Sequence, residues 1–216
     1  MTPAPSPASG SARPLPRLLL ASQSPRRKAI LAELGVPFEV IRSPYQERAE
    51  DVEHLTPVEQ AGKLASLKAF HAAKNLHDGL VIGADTIVVV DETILGKPRD
   101  PDDARRMLES LSGRAHQVIT GLALVDPVGL RTVSRAEITK VFFKELSDRE
   151  IRHYVNSPEP YDKAGAYAIQ GLAALFVERI EGCYFNVVGF PIMAFSRLIK
   201  ELGHDLLDWI KESRHA

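Results

Sequence analysis

The 216-residue chain has one cysteine, Cys183, which excludes an intrachain disulfide and leaves the role of a small buried hydrophobe as the expectation. That usage suits a reducing compartment. Neither charge is in surplus, since 27 Lys and Arg face 28 Asp and Glu for a formal net charge of −1. A general electrostatic grip on nucleic acid or an anionic membrane is not expected, so any polyanion handled must be small and locally bound. No apolar run approaches the ~20 residues that span a bilayer, and Leu18 to Ala21 is too short for the core of a signal peptide. The expectation is a cytoplasmic protein with no membrane or nucleic-acid partner. The Walker loop and the dinucleotide Gly-x-Gly-x-x-Gly are both missing, so kinase and dehydrogenase chemistry lack their phosphate cradles. None of the seven histidines has His-x-x-x-His spacing, and His71 and His77 read as helix-surface residues rather than zinc ligands.

What is present alternates between helix and strand patterns. Met1 to Pro16 is built mainly of Pro, Ala, Ser and Gly with almost nothing to bury, and reads as a disordered tail ahead of one domain over 17–216. A strand at Arg17 to Ser22 leads into a helix opened by Pro25, running through Leu34 and stopped by Gly35, with a short strand at Phe38 to Ile41. Thr56-Pro-Val-Glu59 has capping-box spacing and opens a helix to about Asn75. Leu80 to Ile82 and Ile87 to Val90 are β-branched runs without alternation, the pattern of strands buried on both faces, and they flank Gly83-Ala-Asp-Thr86. Asp100 opens a helix closed near Leu111, and Ala115 to Val125 with Leu130 to Phe143 reads as an antiparallel hairpin. A capped helix at Asp148 to Val155, a strand at Leu175 to Ile180 and a helix between Pro191 and Gly203 complete the pattern. The fold class is α/β with a mixed sheet and no internal repeat.

Asp85 is the sharpest anomaly, an ionisable carboxylate set between apolar strands where desolvation costs several kcal/mol without a partner. A functional carboxylate is one reading; a Gly83 turn capped at the surface by Asp85 is the other. Arg26 and Arg27 fall at the start of a helix, whose dipole already favours anions, so basic residues there ask for an anionic partner or are simply solvated. Ser22 and Ser24 add hydroxyls beside them. The densest polar stretch is Glu159-Pro-Tyr-Asp-Lys-Ala-Gly-Ala-Tyr-Ala-Ile-Gln-Gly171.

Ser22-Gln-Ser-Pro-Arg-Arg27, Gly83-Ala-Asp-Thr86 and Asp162-Lys-Ala-Gly-Ala-Tyr167, in this order, resemble the Maf family of nucleoside triphosphate pyrophosphatases from about Arg17 to Leu202. The resemblance implies two lobes on a long twisted mixed sheet with a cleft between them, as in inosine triphosphatases, and a homodimer. It implies cleavage of a nucleoside triphosphate between the α- and β-phosphates, with Asp85 as general base. Arg26, Arg27, Ser22, Ser24, Lys68, Lys97 and Lys163 become substrate ligands; for Lys163 a salt bridge to Asp162 that fixes the loop is the alternative. Glu47 and Asp85 would hold magnesium or manganese, although the family's acidic cluster is reduced here to Pro44-Tyr-Gln-Glu47. Arg26, Thr86 and Gln170 would set the base, pointing to dTTP and UTP. The rival expectations are an N7-methyl-GTP pyrophosphatase and a non-enzymatic regulator of cell division. His116, in Ser112-Gly-x-x-His-x-Val-x-Thr-Gly121, reads as a structural hydrogen-bonding residue.

Overall fold

The computed structural model describes residues 14–210, so most of the expected tail, residues 1–13, lies outside the described residues, as do 211–216. In chain order the elements are β1 (Leu18–Leu20), α1 (Pro25–Glu33), β2 (Glu39–Val40), α2 (Pro57–Ala73), β3 (Leu80–Val90), β4 (Thr93–Leu95), α3 (Pro101–Leu111), β5 (Ala115–Asp126), β6 (Arg131–Phe143), α4 (Asp148–Val155), β7 (Val177–Glu181), α5 (Tyr184–Val188) and α6 (Ile192–Glu201). The seven strands form one sheet in the order β2-β1-β3-β5-β6-β7, with β4 paired to β3. β1 runs parallel to β2 and β3, and the other pairings are antiparallel, so the sheet is mixed as expected. Among the described residues no helix is long and apolar enough to cross a membrane.

The two strands expected around Gly83-Ala-Asp-Thr86 are one continuous strand, β3, with Asp85 in its middle. Gly83 marks a close approach and makes no turn. A Cβ there would meet the Ala65 carbonyl oxygen at 2.1 Å, and one at Gly121 would meet that of Ala61 at the same distance. Asp85 pairs with Gly121 across the β3–β5 ladder, so both glycines lie under α2. That helix turns a stripe of alanines at four-residue spacing, Ala61, Ala65, Ala69 and Ala73, to the sheet, all fully buried. Its start is fixed locally by Thr56 and Glu59, which close the expected capping box.

Alternation along β3 sends the neighbouring residues to the opposite face. There Ile82 and Ala84 join Leu122, Leu124, Phe190, Phe195 and Leu198 in one core, while Val88 and Val90 join Val118, Val141, Leu108 and Tyr154 in another. Thr86 and Thr120, directly paired, form the polar seam between these two cores. Two short elements escaped the sequence pattern, β4 and α5. Cys183 caps the start of α5 and is only half-buried, which corrects the expectation of a buried hydrophobe.

Candidate active site

A gap in the sheet exposes the middle of β3. One edge of the strand pairs with β5 from Val81 to Val89, while the other pairs with β1 at residues 80–82 and with β4 at residues 88–90. Among the described residues no strand covers that edge over 83–87. A cleft of about 860 Å³ enters there and is lined by Ser22, Ser24, Arg26, Arg27, Glu47, Lys68, Asp85, Thr86, Lys97, Lys163 and Gln170, every site residue expected from the sequence.

Asp85 faces α2, and the Lys68 ammonium, one turn beyond the close contact at Ala65, donates to its Oδ1 at 2.5 Å. The same nitrogen lies 2.5 Å from Glu47 Oε1. The side chains of Lys68 and Asp85 are 20% and 12% exposed, so this pair is largely shielded from water, whereas Glu47 is half open to it. Glu47 arrives on a loop docked against α2: Ser43 Oγ donates to the Lys68 carbonyl at 2.8 Å, and Tyr45 stacks on His71 with ring centroids 5.3 Å apart. Tyr45 also donates to Asp51 at 2.7 Å; burial and this bond push its hydroxyl up to about 12.

Arg27 is committed to the protein. Its Nε donates to Gly189 O at 2.9 Å, Nη1 to Ser22 Oγ at 3.0 Å and Ala84 O at 2.9 Å, and Nη2 to Thr86 Oγ1 at 3.1 Å. Four of the five guanidinium donors are thus used within the cleft wall. Burial lowers its pKa, with Asp85 opposing the shift. Thr120 Oγ1 donates to Asn186 O at 3.0 Å, so the 2.9 Å contact between the two threonine hydroxyls carries the Thr86 proton. The Thr86 hydroxyl is therefore occupied on both sides. Thr120 and Asn186 were missed from sequence; Thr120 stood inside a quoted motif, but Asn186 carried no local signal. Arg26 is freer: among the described residues its close acid is Asp162, at 3.7 Å. Lys97 and Gln170 stand exposed at the rim.

The polar loop 159–171 is tied down by its own residues. Lys163 Nζ donates to Glu159 O at 2.5 Å and to the Asp162 carboxylate, the loop-fixing bridge anticipated as the alternative to a substrate contact. Glu159 accepts from Leu172 N at 3.1 Å, and Gly165 N donates to Gly96 O at 3.0 Å. Gly165 and Ala166 both have positive φ, +67° and +58°, and a Cβ on Gly165 would meet Val88 at 2.9 Å. Strained backbone of this kind needs strong anchoring. His116 supplies it from β5 through a 2.7 Å bond between Nε2 and the Tyr167 hydroxyl, inside a cluster with Phe143 and Phe176. The hydrogen-bonding role expected for His116 is the one it has.

Residues 17–202 match the family described as Maf-like protein. The chain belongs to that family. This Maf-like protein is 47% identical over 188 residues to the dTTP/UTP pyrophosphatase of Carboxydothermus hydrogenoformans, covering 87% of this chain and 100% of that protein. It is 50% identical over 198 residues to the dTTP/UTP pyrophosphatase of Acetivibrio thermocellus, covering 88% and 98%. A crystal structure of a nucleoside-triphosphatase/dITP/XTP pyrophosphatase from Mycobacterium abscessus shares 18% identity and a TM-score of 0.37 over 60% of this chain and 75% of that one, too loose a likeness to bear on the argument.

The Maf-like protein presents two carboxylates to one point. Each has an oxygen 2.5 Å from the same ammonium nitrogen, so those oxygens lie no further apart than twice that distance, comparable with the span one cation bridges. Among the described residues no group of three or more His, Cys, Asp or Glu side chains could hold a metal ion. The donor set fits a hard divalent cation held by one or two carboxylates and completed by phosphate oxygens.

Proposed function

We propose that this Maf-like protein is a nucleoside triphosphate pyrophosphatase acting on dTTP and UTP, releasing the nucleoside monophosphate and pyrophosphate. The observation that carries this is the Asp85 carboxylate, shielded yet open to the cleft at the gap in the sheet, with cations on the surrounding walls. Asp85 holds a water and takes its proton as the oxygen bonds the α-phosphorus. The bond from that phosphorus to the α,β-bridging oxygen breaks, and pyrophosphate leaves with the electron pair. Arg26, Lys68 and Lys97 hold the triphosphate by charge-assisted hydrogen bonds, while Ser22, Ser24 and Arg27 build the wall they work from. Lys163 acts by fixing its loop. Glu47 and Asp85 would hold magnesium or manganese together with phosphate oxygens, and the metal would neutralise charge on the phosphates. The rest is positioning and electrostatics.

For the base, the Gln170 amide offers an acceptor to the N3–H of uracil or thymine and a donor to the adjacent carbonyl. Guanine presents neighbouring donors, which an acceptor-only carboxylate suits better. Thr86, with its hydroxyl held by Arg27 and Thr120, contributes through the shape of the cleft floor. Arg26 closes the same region from α1. The names of the relatives support the pyrimidine preference. A cytoplasmic homodimer is part of the same reading.

Product analysis with magnesium or manganese on UTP, dTTP, CTP, GTP and N7-methyl-GTP is the test. Pyrophosphate should appear rather than orthophosphate, with UTP and dTTP ahead of the other three. Gln170→Glu should cost about 1–3 kcal/mol in kcat/KM for UTP. Orthophosphate as the product, or preference for either guanine nucleotide, would contradict the proposal.

A further inference from the structure

Lys68 has two competing claims on its single charge. As a phosphate ligand it must reach the triphosphate, yet its ammonium stands 2.5 Å from both Asp85 Oδ1 and Glu47 Oε1. A divalent cation bridging these same two oxygens would stand close to the ammonium, where two unscreened positive charges repel strongly. We infer that Lys68 is an internal counter-cation that fills the divalent-metal position of the nucleotide-free protein, so that the metal is admitted only when a triphosphate draws the lysine away. The inference rests on the proposed function for the identity of the anion that moves Lys68, but the contact with the two carboxylates stands without it.

Electrostatics fixes the resting arrangement. Asp85 is 12% exposed in its side chain, and an unpaired carboxylate in that position is costly, so a cation must be near it at all times. Lysine suits an exchangeable role because its ammonium is a point charge on a flexible stem and follows the most negative potential. A triphosphate entering past Arg26 and Lys97 brings several negative charges within reach, and the ammonium can turn to them while the carboxylates accept the metal. The exchange conserves compensation at Asp85 in both states. Glu47 makes the contact two-sided, and its loop is held in place from α2 by Ser43 and Tyr45 rather than by the lysine alone.

The coupling this implies between metal and triphosphate is reciprocal and should be of the usual size for linked sites, roughly 5–150-fold. Mn2+ alone, with no nucleotide, is the probe, titrated by calorimetry and followed by thermal shift in the wild type, Lys68→Ala, Lys68→Met and the double variant of Lys68→Met with Glu47→Gln. Lys68→Met keeps the aliphatic stem and serves if the alanine variant folds poorly. The expected result is weak Mn2+ binding and no thermal shift in wild type, binding tighter by roughly 5–150-fold with a clear rise in Tm once the ammonium is gone, and loss of that gain in the double variant. Equal Mn2+ affinity in wild type and the lysine variants would overturn the inference, as would no gain on removing Lys68 or a gain that survives Glu47→Gln. Because no nucleotide is present, these outcomes are independent of whether the protein hydrolyses any triphosphate.

Discussion

The His116 imidazole is 2% exposed, bonded to Tyr167 through Nε2, with no partner for Nδ1 among the described residues. Burial pulls its pKa from 6.5 down to about 4. The unfolded chain takes up a proton near pH 6.5 that the folded chain refuses until about pH 4, so stability from the neutral ring is complete above the first value and is lost as pH falls toward the second. The full loss is roughly 3 kcal/mol at 1.36 kcal/mol per pH unit. His116→Gln keeps a hydrogen-bonding group without titrating, and urea unfolding should show a smaller fall in stability for it over this window than for wild type. Parallel pH profiles would remove the buried imidazole from the account. Asp85 was legible in sequence because a carboxylate in an apolar run conflicts with its surroundings. Lys68 is legible only through the family resemblance, since a helical lysine is ordinarily solvated and only the tertiary approach of α2 turns this one onto Asp85. Asn186 and Thr120 meet across 66 residues of chain, a separation that no local pattern reports.

Among the elements, α2 is the one on which the site depends. Its alanine stripe sits on two glycines whose Cβ atoms would fall 2.1 Å from its backbone carbonyls. Gly83→Ala or Gly121→Ala must lift the helix, and overpacking of this kind costs about 1–3 kcal/mol and occasionally more. Lys68 lies three residues beyond Ala65, so the same displacement should lengthen its bond to Asp85 and lower kcat/KM for UTP. Urea unfolding and pyrophosphate release on each variant check the two effects; full stability and turnover in Gly83→Ala would mean the approach is not required. The capping boxes Thr56–Glu59 and Ser147–Glu150 were readable because every interaction in them is within three residues. The split of β3 was misread because glycine beside aspartate signals a turn locally, while its actual cause is a helix packed from far along the chain. The short elements β4 and α5 are too brief to establish a period.

At the scale of the whole molecule, a single sheet carries two cores on one face and α2 on the other, and the cleft exists because β1 and β4 leave the middle of β3 uncovered. The α/β class followed from the alternation of helix and strand patterns, but the gap depends on strand order, which no single segment encodes. Within the expected tail, Pro16 makes a contact that the composition did not suggest: Trp209 Nε1 donates to its carbonyl oxygen at 3.0 Å. A truncation removing residues 1–16 should therefore be about 1 kcal/mol less stable than one removing 1–13, measured by urea unfolding. Equal stability would show that this bond contributes nothing. The role proposed for Asp85, activating water against the α-phosphorus of dTTP or UTP, is tested by comparing pyrophosphate release from UTP by wild type and Asp85→Asn, with UTP affinity measured alongside. Turnover of Asp85→Asn should fall by roughly 10²–10⁴-fold with UTP still bound and the fold intact; near-normal turnover would rule Asp85 out as the base.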